Sequence, residues 1–129
     1  MDRPPALDPK LVSEFVIAAH ANLEKVQEML DAEPGLLNAA WDWGGGDFET
    51  GLGSAAHMGR RDIAHFLLER GARMDIFTAA MLGEVEILAA ILAATPAART
   101  STGAHGIPLI VHARQGGAQA EAVVALLEI

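Results

Sequence analysis

The residues of this 129-residue chain that are best suited to chemistry are a carboxylate and an imidazole close together in sequence, Glu49 and His57. A carboxylate that orients and polarises a histidine ring can support acid–base chemistry. Ser54 lies between the two residues, but no G-x-S-x-G turn accompanies it, so no activated nucleophile is indicated. The sequence therefore offers an acid–base pair without a nucleophile, and a non-catalytic role is favoured over an enzymatic one.

The composition indicates a folded domain and excludes several classes of partner. Hydrophobic residues make up 51% of the chain and charged residues 20%, which is enough to bury a sizeable core. The net charge of -8 disfavours binding to a phosphate backbone. Residues 1–10 contain no apolar run that could serve as a signal or a membrane anchor. Because cysteine is also absent, we expect a cytoplasmic protein that binds neither nucleic acid nor a membrane.

A helix–turn–helix unit recurs along the chain. Its best copy runs from Ala55 to Ala72, where two alanines and a glycine turn precede an apolar helix that closes with Leu-Leu and Gly-Ala. Weaker copies are anchored by the residue pairs Ala18-Ala19, Ala79-Ala80 and His112-Ala113. A unit of this size cannot bury its apolar faces alone, so the copies are expected to stack on one another.

This pattern resembles the ankyrin-repeat family, in which T-P-L-H-x-A-A-x-x-G-H precedes a second helix closing with L-L-x-x-G-A. Residues 50–72 follow it, with Gly51, Gly53 and Arg60 in place of the usual Pro, His and His. The resemblance implies an all-α fold, an ankyrin-repeat solenoid of stacked helix-turn-helix units with long finger loops. Residues 1–12 form a lead before a first helix capped by Ser13. The units span about 13–49, 50–73, 74–95 and 105–129.

The third unit follows the second too soon. The marker alanines of the four units are Ala19, Ala56, Ala80 and Ala113, separated by 37, 24 and 33 residues. Against the family period of about 33 residues, the middle step lacks about nine, the size of one finger. Asp75 then caps the next helix directly. We expect a notch above Met81, between the tryptophan-rich finger and the finger that carries His105.

The resemblance implies binding along the concave side, through finger residues and the variable positions after each alanine pair. The candidate binding residues are Trp41, Trp43, Asp47, Glu49, His57, Met81, His105 and Arg114. We expect a recognition module for a protein partner, with the tryptophans as anchors. The alternative is a small-molecule-binding protein or hydrolase-like enzyme that uses the notch, with Glu49 and His57 as acid and base. The tryptophans could equally pin their loop onto the helices.

The five histidines are possible metal ligands, but their spacing in the sequence does not favour a metal site. No H-E-x-x-H or comparable ligand spacing occurs. His20 and His57 occupy equivalent positions of neighbouring units, so their backbones are expected about 10 Å apart, which is wide for sharing one ion. The glycines at 44–46 lack the Lys and Ser or Thr of a phosphate loop. We therefore expect no metal and no cofactor.

The last predicted helix, from about Gln119 to Glu128, is apolar on all sides and leads into Ile129. A terminal repeat normally turns a polar face outward. This end of the array is therefore expected to pack against something else, either further chain or a second copy. A homodimer through the terminal helix is the corresponding prediction.

Overall fold

The computed structural model describes residues 2–129, which form eight α-helices, one two-stranded hairpin and short 3-10 turns. The helices are α1 (Pro9–Ala18), α2 (Leu23–Ala32), α3 (Gly51–His57), α4 (Arg61–Glu69), α5 (Ile76–Leu82), α6 (Val85–Ala94), α7 (Leu109–Gln115) and α8 (Glu121–Glu128). The strands are β1 (Ala40–Asp42) and β2 (Phe48–Thr50), which pair antiparallel with Trp41 opposite Glu49. The expected all-α class is confirmed at this level.

The odd-numbered helices contact one another in chain order, α1 with α3, α3 with α5 and α5 with α7. Each of them also packs against the helix that follows it in sequence. Buried alanines such as Ala55 and Ala80 allow this close packing. Gly51 lies so near α1 that an added Cβ would be 2.8 Å from the Phe15 ring. A larger residue there would push the second helix pair away from the first.

The apolar core extends along this stack as two clusters of buried side chains. The first is built from α1 to α4 around Phe15 and Ile63, together with Met81 and Leu82 of α5. The second is built from α5 to α8 around Leu109. Because α5 contributes to both clusters, the stack has one shared helix at its centre.

Arg61 joins three helix pairs by hydrogen bonds. Its guanidinium donates to the carbonyls of Met81 (2.9 Å), Leu82 (3.2 Å) and Gly116 (3.2 Å). Carbonyls in the last turn of a helix have no partner within the helix, so they need an outside donor. Arg61, the first residue of α4, thus supplies hydrogen-bond donors to the C-terminal ends of both α5 and α7.

The first and last helices begin elsewhere than the sequence indicated. The N-cap of α1 is Asp8, whose carboxylate accepts from the Lys10 backbone N–H at 3.0 Å. Ser13, predicted as the cap, lies inside α1 because Pro9 suits the first helical turn. At the other end, a 3-10 turn (Gly117–Ala120) occupies the residues where α8 is predicted to begin. Helix α8 itself begins at Glu121.

The predicted bounds of α2 and the predicted start of α5 agree with the structure. Helix α2 has the predicted bounds, and α5 begins after Asp75, whose carboxylate accepts from the Thr78 backbone N–H at 2.7 Å. The connection between α4 and α5 contains no strand, whereas the hairpin fills the connection between α2 and α3. The connection before α7 has one isolated bridge, between Thr102 and Pro108, and we call residues 102–108 the 102–108 loop.

Helix α8 packs its inner face against α6 and α7, with Val123 and Leu127 buried. Ile129, just beyond it, is 91% exposed. The pairing of two copies through this helix stays a prediction. Within residues 2–129, no helix combines the length and the apolar character needed to cross a membrane.

Candidate functional site

Four polar side chains that are distant in sequence converge beside the hairpin. His20 follows α1, Glu49 lies in β2, His57 ends α3, and His105 lies in the 102–108 loop. Each offers one nitrogen or oxygen atom, and these four atoms all lie within 4.8 Å of one another. We call these residues the histidine–glutamate cluster.

Glu49 is at the centre of the cluster, and its side chain is 0% exposed. Its Oε1 accepts a hydrogen bond from the Trp43 indole at 2.9 Å. The same oxygen is 3.3 Å from His20 Nε2 and 3.5 Å from His105 Nε2. Its Oε2 is 2.9 Å from His57 Nε2. One buried carboxylate therefore faces three imidazole rings and one indole.

The contact between Glu49 and His57 is not a hydrogen bond. Glu49 Oε2 and His57 Nε2 are close, but they do not meet at a hydrogen-bonding angle, and neither has another protein hydrogen-bond partner. Both atoms are buried. Leaving a buried polar atom unpaired is costly, and a charged one more so.

The second nitrogens of two histidines fix how the rings point. His20 Nδ1 lies 2.9 Å from the Val16 carbonyl and 3.2 Å from the Ile17 carbonyl. His105 Nδ1 lies 2.8 Å from the Asp47 carboxylate. Because carbonyls and carboxylates only accept, both Nδ1 atoms carry the hydrogen. In the neutral ring the lone pair is then on Nε2, which faces Glu49 in both residues.

Asp47 holds His105 in an unusual backbone conformation. Its Oδ1 accepts from the His105 backbone N–H at 2.7 Å, while its Oδ2 binds the ring. The φ angle of His105 is 60°, in the left-handed region that residues other than glycine seldom adopt. Such strain persists only where the surroundings impose it, and it is concentrated at functional sites.

The hairpin turn places Trp43 and Asp47 at the cluster. Asp42 accepts from the backbone N–H groups of Gly44 (2.8 Å) and Gly46 (3.0 Å), which closes the turn. The Trp43 backbone N–H donates to the Asp47 carbonyl at 2.9 Å. Both glycines have positive φ, which explains the glycine run at this point of the sequence.

The charges of the cluster are mutually dependent. Burial alone would raise the pKa of Glu49, but the contacts with His20, His57 and the indole outweigh it and hold this pKa well below its usual range. The Glu49 carboxylate in turn raises the pKa of His20 against the effect of burial. The His105 backbone N–H, and then its ring, lower the pKa of Asp47. Both carboxylates are therefore ionised at neutral pH.

The histidines that the sequence placed on neighbouring helices meet at their rings. The ring centroids of His20 and His57 are 5.0 Å apart, and those of His57 and His105 are 5.6 Å apart. The expectation that the backbone spacing of His20 and His57 is wide for sharing one ion does not extend to their side chains. It considered the spacing of the backbones, whereas both side chains reach toward the same carboxylate.

A cavity of about 390 Å³ opens between the hairpin and the 102–108 loop, and we call it the notch. Asp47, Phe48 and Glu49 line it from the hairpin, and Thr102, Gly103 and Ala104 line it from the loop. Asp75 and Phe77, at the start of α5, also line it. Met81 does not, because its side chain is fully buried in the first core cluster.

The remaining candidate residues are dispersed. Trp41 is half-buried and packs against the first core cluster, as a residue that pins the hairpin would. Trp43 contacts the cluster but remains 41% exposed. Arg114 is exposed and pairs with Glu128 at 3.1 Å, outside both the cluster and the notch. Ser54 is fully buried, and its hydroxyl donates to the Thr50 carbonyl at 3.1 Å.

His20 is the cluster residue that the candidate binding set lacked. The sequence did contain a signal for it, since His20 and His57 follow the alanine pairs of adjacent units at the same position. The decisive information is tertiary, because only the hairpin brings a carboxylate between the two rings.

No family model, no curated protein and no solved structure matches this chain. The geometry of the notch and of the histidine–glutamate cluster is therefore the ground for assigning a function.

Proposed function

We propose that this chain is an ankyrin-type solenoid that binds a small polar molecule in the notch. Two observations support the solenoid. The odd-numbered helices contact one another in chain order, and each packs on its successor, as stacked units would. The hairpin precedes α3 in the place of a finger, and the six residues between α4 and α5 form no strand.

The observation that carries the proposal is the notch itself, with the acidic residues Asp47 and Asp75 in its lining. A volume of about 390 Å³ falls in the range of cavities that hold small ligands, roughly 300–1,000 Å³. Both of these acidic residues are partly exposed at the notch. Concave sites with a few fixed polar groups are the usual form of small-molecule sites.

The lining indicates the chemistry of the ligand. Asp47 and Asp75 line the notch and are both partly exposed, and their carboxylates can accept hydrogen bonds from a ligand. Phe77 adds an aromatic face, which attracts a cation as well as an apolar group. The chain as a whole carries a net charge of -8, which favours an approaching cation. A small amine, with several donors and a positive charge, fits this lining best.

The site is better suited to binding than to hydrolysis. Ser54, the serine between Glu49 and His57 in sequence, is buried and already donates to a carbonyl. The Glu49 side chain is 0% exposed and its Oε1 already accepts from the Trp43 indole, so a substrate in the notch has no direct path to this carboxylate. A general base needs direct access to the proton that it removes.

Recognition of a protein partner is the second candidate, and exposed apolar side chains favour it. Trp43 is 41% exposed, Phe48 61% and Met58 46%. Aromatic anchors in a polar surround commonly dominate protein interfaces. A partner could insert a basic side chain into the notch and cover these three residues. In either form the proposal includes a cytoplasmic location, since the chain has no cysteine.

A ligand screen with a blocked notch tests the proposal. A library of small amines and other polar metabolites is scanned against the chain by ligand-observed NMR, and each hit is repeated on Thr102→Trp, which fills the notch. Thr100→Trp is the matched control, because Thr100 is exposed in the same connection but does not line the notch. We expect hits that are lost in Thr102→Trp and kept in Thr100→Trp. Hits unaffected by Thr102→Trp would contradict the notch as the binding site.

A further inference from the structure

We propose that the histidine–glutamate cluster binds a divalent transition-metal ion, with His20, Glu49, His57 and His105 as its ligands. This site goes beyond small-molecule binding in the notch and does not depend on it. Three imidazole nitrogens and one carboxylate oxygen form a donor set that suits zinc and its first-row neighbours. Magnesium and calcium prefer oxygen ligands, so they are disfavoured here.

The spacing of the donor atoms fits one shared ion. Zinc holds nitrogen and oxygen ligands at about 2.0–2.2 Å in a tetrahedron, which places those ligands roughly 3.4 Å from one another. The four donor atoms already lie within 4.8 Å of one another. Side-chain rotations that move the atoms by about an ångström would close the shell around an ion of this kind. No movement of a helix is needed.

The outer contacts of the rings are those of metal-binding histidines. A histidine ligand commonly donates its second ring N–H to a carbonyl or a carboxylate, which fixes the ring and its tautomer. His20 does so with the Val16 carbonyl at 2.9 Å, and His105 does so with Asp47 at 2.8 Å. In the neutral form, both rings therefore direct the lone pair of Nε2 toward the centre of the cluster.

The unpaired atoms at the centre are a separate observation that indicates a missing partner. Glu49 Oε2 and His57 Nε2 are buried, face each other at 2.9 Å and have no protein hydrogen-bond partner. The Glu49 side chain is 0% exposed. A cation bound between these two atoms would satisfy both, since each has a lone pair to donate.

A cluster of protonated histidines around Glu49 is the competing explanation. It would place several positive rings within about 5 to 6 Å of one another around a single buried negative charge. It would also leave the Oε2 and Nε2 pair without a hydrogen bond. A divalent ion concentrates the positive charge at one point and leaves the rings neutral.

Four protein ligands complete a tetrahedral shell, which is the form of a structural site. The ligands come from the end of α1, the hairpin, α3 and the 102–108 loop. One ion would therefore tie together four segments spread over most of the chain. Binding to the folded state alone raises the free energy of unfolding, so the metal should stabilise the fold.

Titration of the full chain tests the site. The chain is stripped with a chelator, dialysed and titrated with Zn²⁺ by calorimetry, and with Co²⁺ by visible absorption. We expect one Zn²⁺ per chain with a Kd below about 1 µM and the intense absorption of four-coordinate Co²⁺. The melting temperature should rise with added Zn²⁺. Failure of the stripped, folded chain to bind one equivalent of either ion would overturn the proposal.

Matched histidine variants locate the ion. His57→Gln and His105→Gln each remove one ligand, whereas His65→Gln removes an exposed histidine of α4. We expect the two ligand variants to lose at least about 100-fold in Zn²⁺ affinity and His65→Gln to bind like the wild type. Asp47→Asn, a positioning change, should lose about 10- to 100-fold. Equal affinity in all of these variants would overturn the assignment of the ligands.

Two controls keep these outcomes interpretable. Circular dichroism in the presence of chelator establishes that each variant is folded, and His105→Gln serves if His57→Gln is not, because His105 lies in a loop. Thr102→Trp, which blocks the notch, should retain the Zn²⁺ affinity of the wild type. Failure of the metal site and failure of small-molecule binding are thus separate results.

Discussion

Glu49 and His112 are two buried ionisable groups near the site, and their burial costs different amounts of free energy. Glu49 is ionised, and its Oε1 accepts from the Trp43 indole while imidazole rings lie beside both oxygens. His112 is nearly as buried, and its ring packs on Phe77 with centroids 4.8 Å apart. Its Nδ1 lies 2.9 Å from the Pro108 carbonyl, which suits the neutral ring. A charge on His112 would have no carboxylate in direct contact.

His112 gives a prediction for the pH dependence of stability. Burial lowers the pKa of His112, with the Pro108 carbonyl and Asp75 opposing this effect and His57 adding to it. The unfolded chain then takes up the proton first, below its usual pKa of about 6.5. We expect the stability contributed by neutral His112 to be complete above that pH and to be lost as the pH falls toward the folded-state pKa.

Urea unfolding of the wild type and of His112→Gln, from pH 8 to pH 5, measures this effect. The difference in unfolding free energy, wild type minus variant, should decrease with falling pH. His65→Gln serves as the control, since His65 is exposed. A difference that stays constant or grows toward acid pH would contradict the assignment.

At the scale of elements, the sequence predicts well what is decided locally. The bounds of α2 and the capping of α5 by Asp75 follow from residues within one turn of the helix end. The start of α1 was placed too late because the capping pair Asp8-Pro9 lies in a proline-rich stretch. The convergence of His20 and Glu49 could not be predicted, because it depends on how the hairpin lies against α1 and α3.

Close contact between α5 and the turn before α8 gives a prediction about two glycines. Gly83 has a φ of 82°, and a Cβ added there would overlap the Gln119 carbonyl oxygen. Gly117 has a φ of 61°, and a Cβ added there would meet nothing within 4 Å. We expect Gly117→Ala to cost about 1–2 kcal/mol of unfolding free energy for the backbone conformation alone, and Gly83→Ala to cost several kcal/mol more. Equal losses in chemical denaturation would show that the contact does not restrict the helix.

The hydrogen bonds of Arg61 give a second prediction at this scale. Arg61→Met keeps most of the side-chain length but removes the donors to three helix-end carbonyls. We expect a loss of about 2 kcal/mol in unfolding free energy, because buried acceptors are left without partners. Arg73→Met is the control, since Arg73 is exposed and only its backbone N–H makes a hydrogen bond. A loss no greater than that of the control would count against this role.

At the scale of the whole molecule, the stack has different ends. Near the N-terminus, Leu7 and Leu11 pack against the first core cluster. At the C-terminus, Ile129 is 91% exposed, and Val124 and Leu126 of α8 are only partly buried. The site lies between these ends, where the hairpin meets the 102–108 loop. The surface proposed for self-association and the proposed binding site therefore lie on different parts of the molecule.

The exposed C-terminal end predicts weak self-association. We expect the weight-average mass from analytical ultracentrifugation to rise with protein concentration, as a second copy covers Ile129 and the outer face of α8. Ile129→Lys should lower this rise by placing a charge at the contact, and Ile17→Lys is the control at another exposed isoleucine. A mass that stays at one chain across millimolar concentrations would contradict the prediction.

Glu49 and the three histidines of the cluster are expected to bind one metal ion where the hairpin meets the 102–108 loop. The most direct test is a crystal structure of the Zn²⁺-loaded chain, with diffraction data collected above and below the zinc absorption edge. We expect a single strong anomalous peak bonded to His20, Glu49, His57 and His105 at about 2.0–2.2 Å. The absence of a peak among these four side chains, or a peak located elsewhere on the chain, would contradict it.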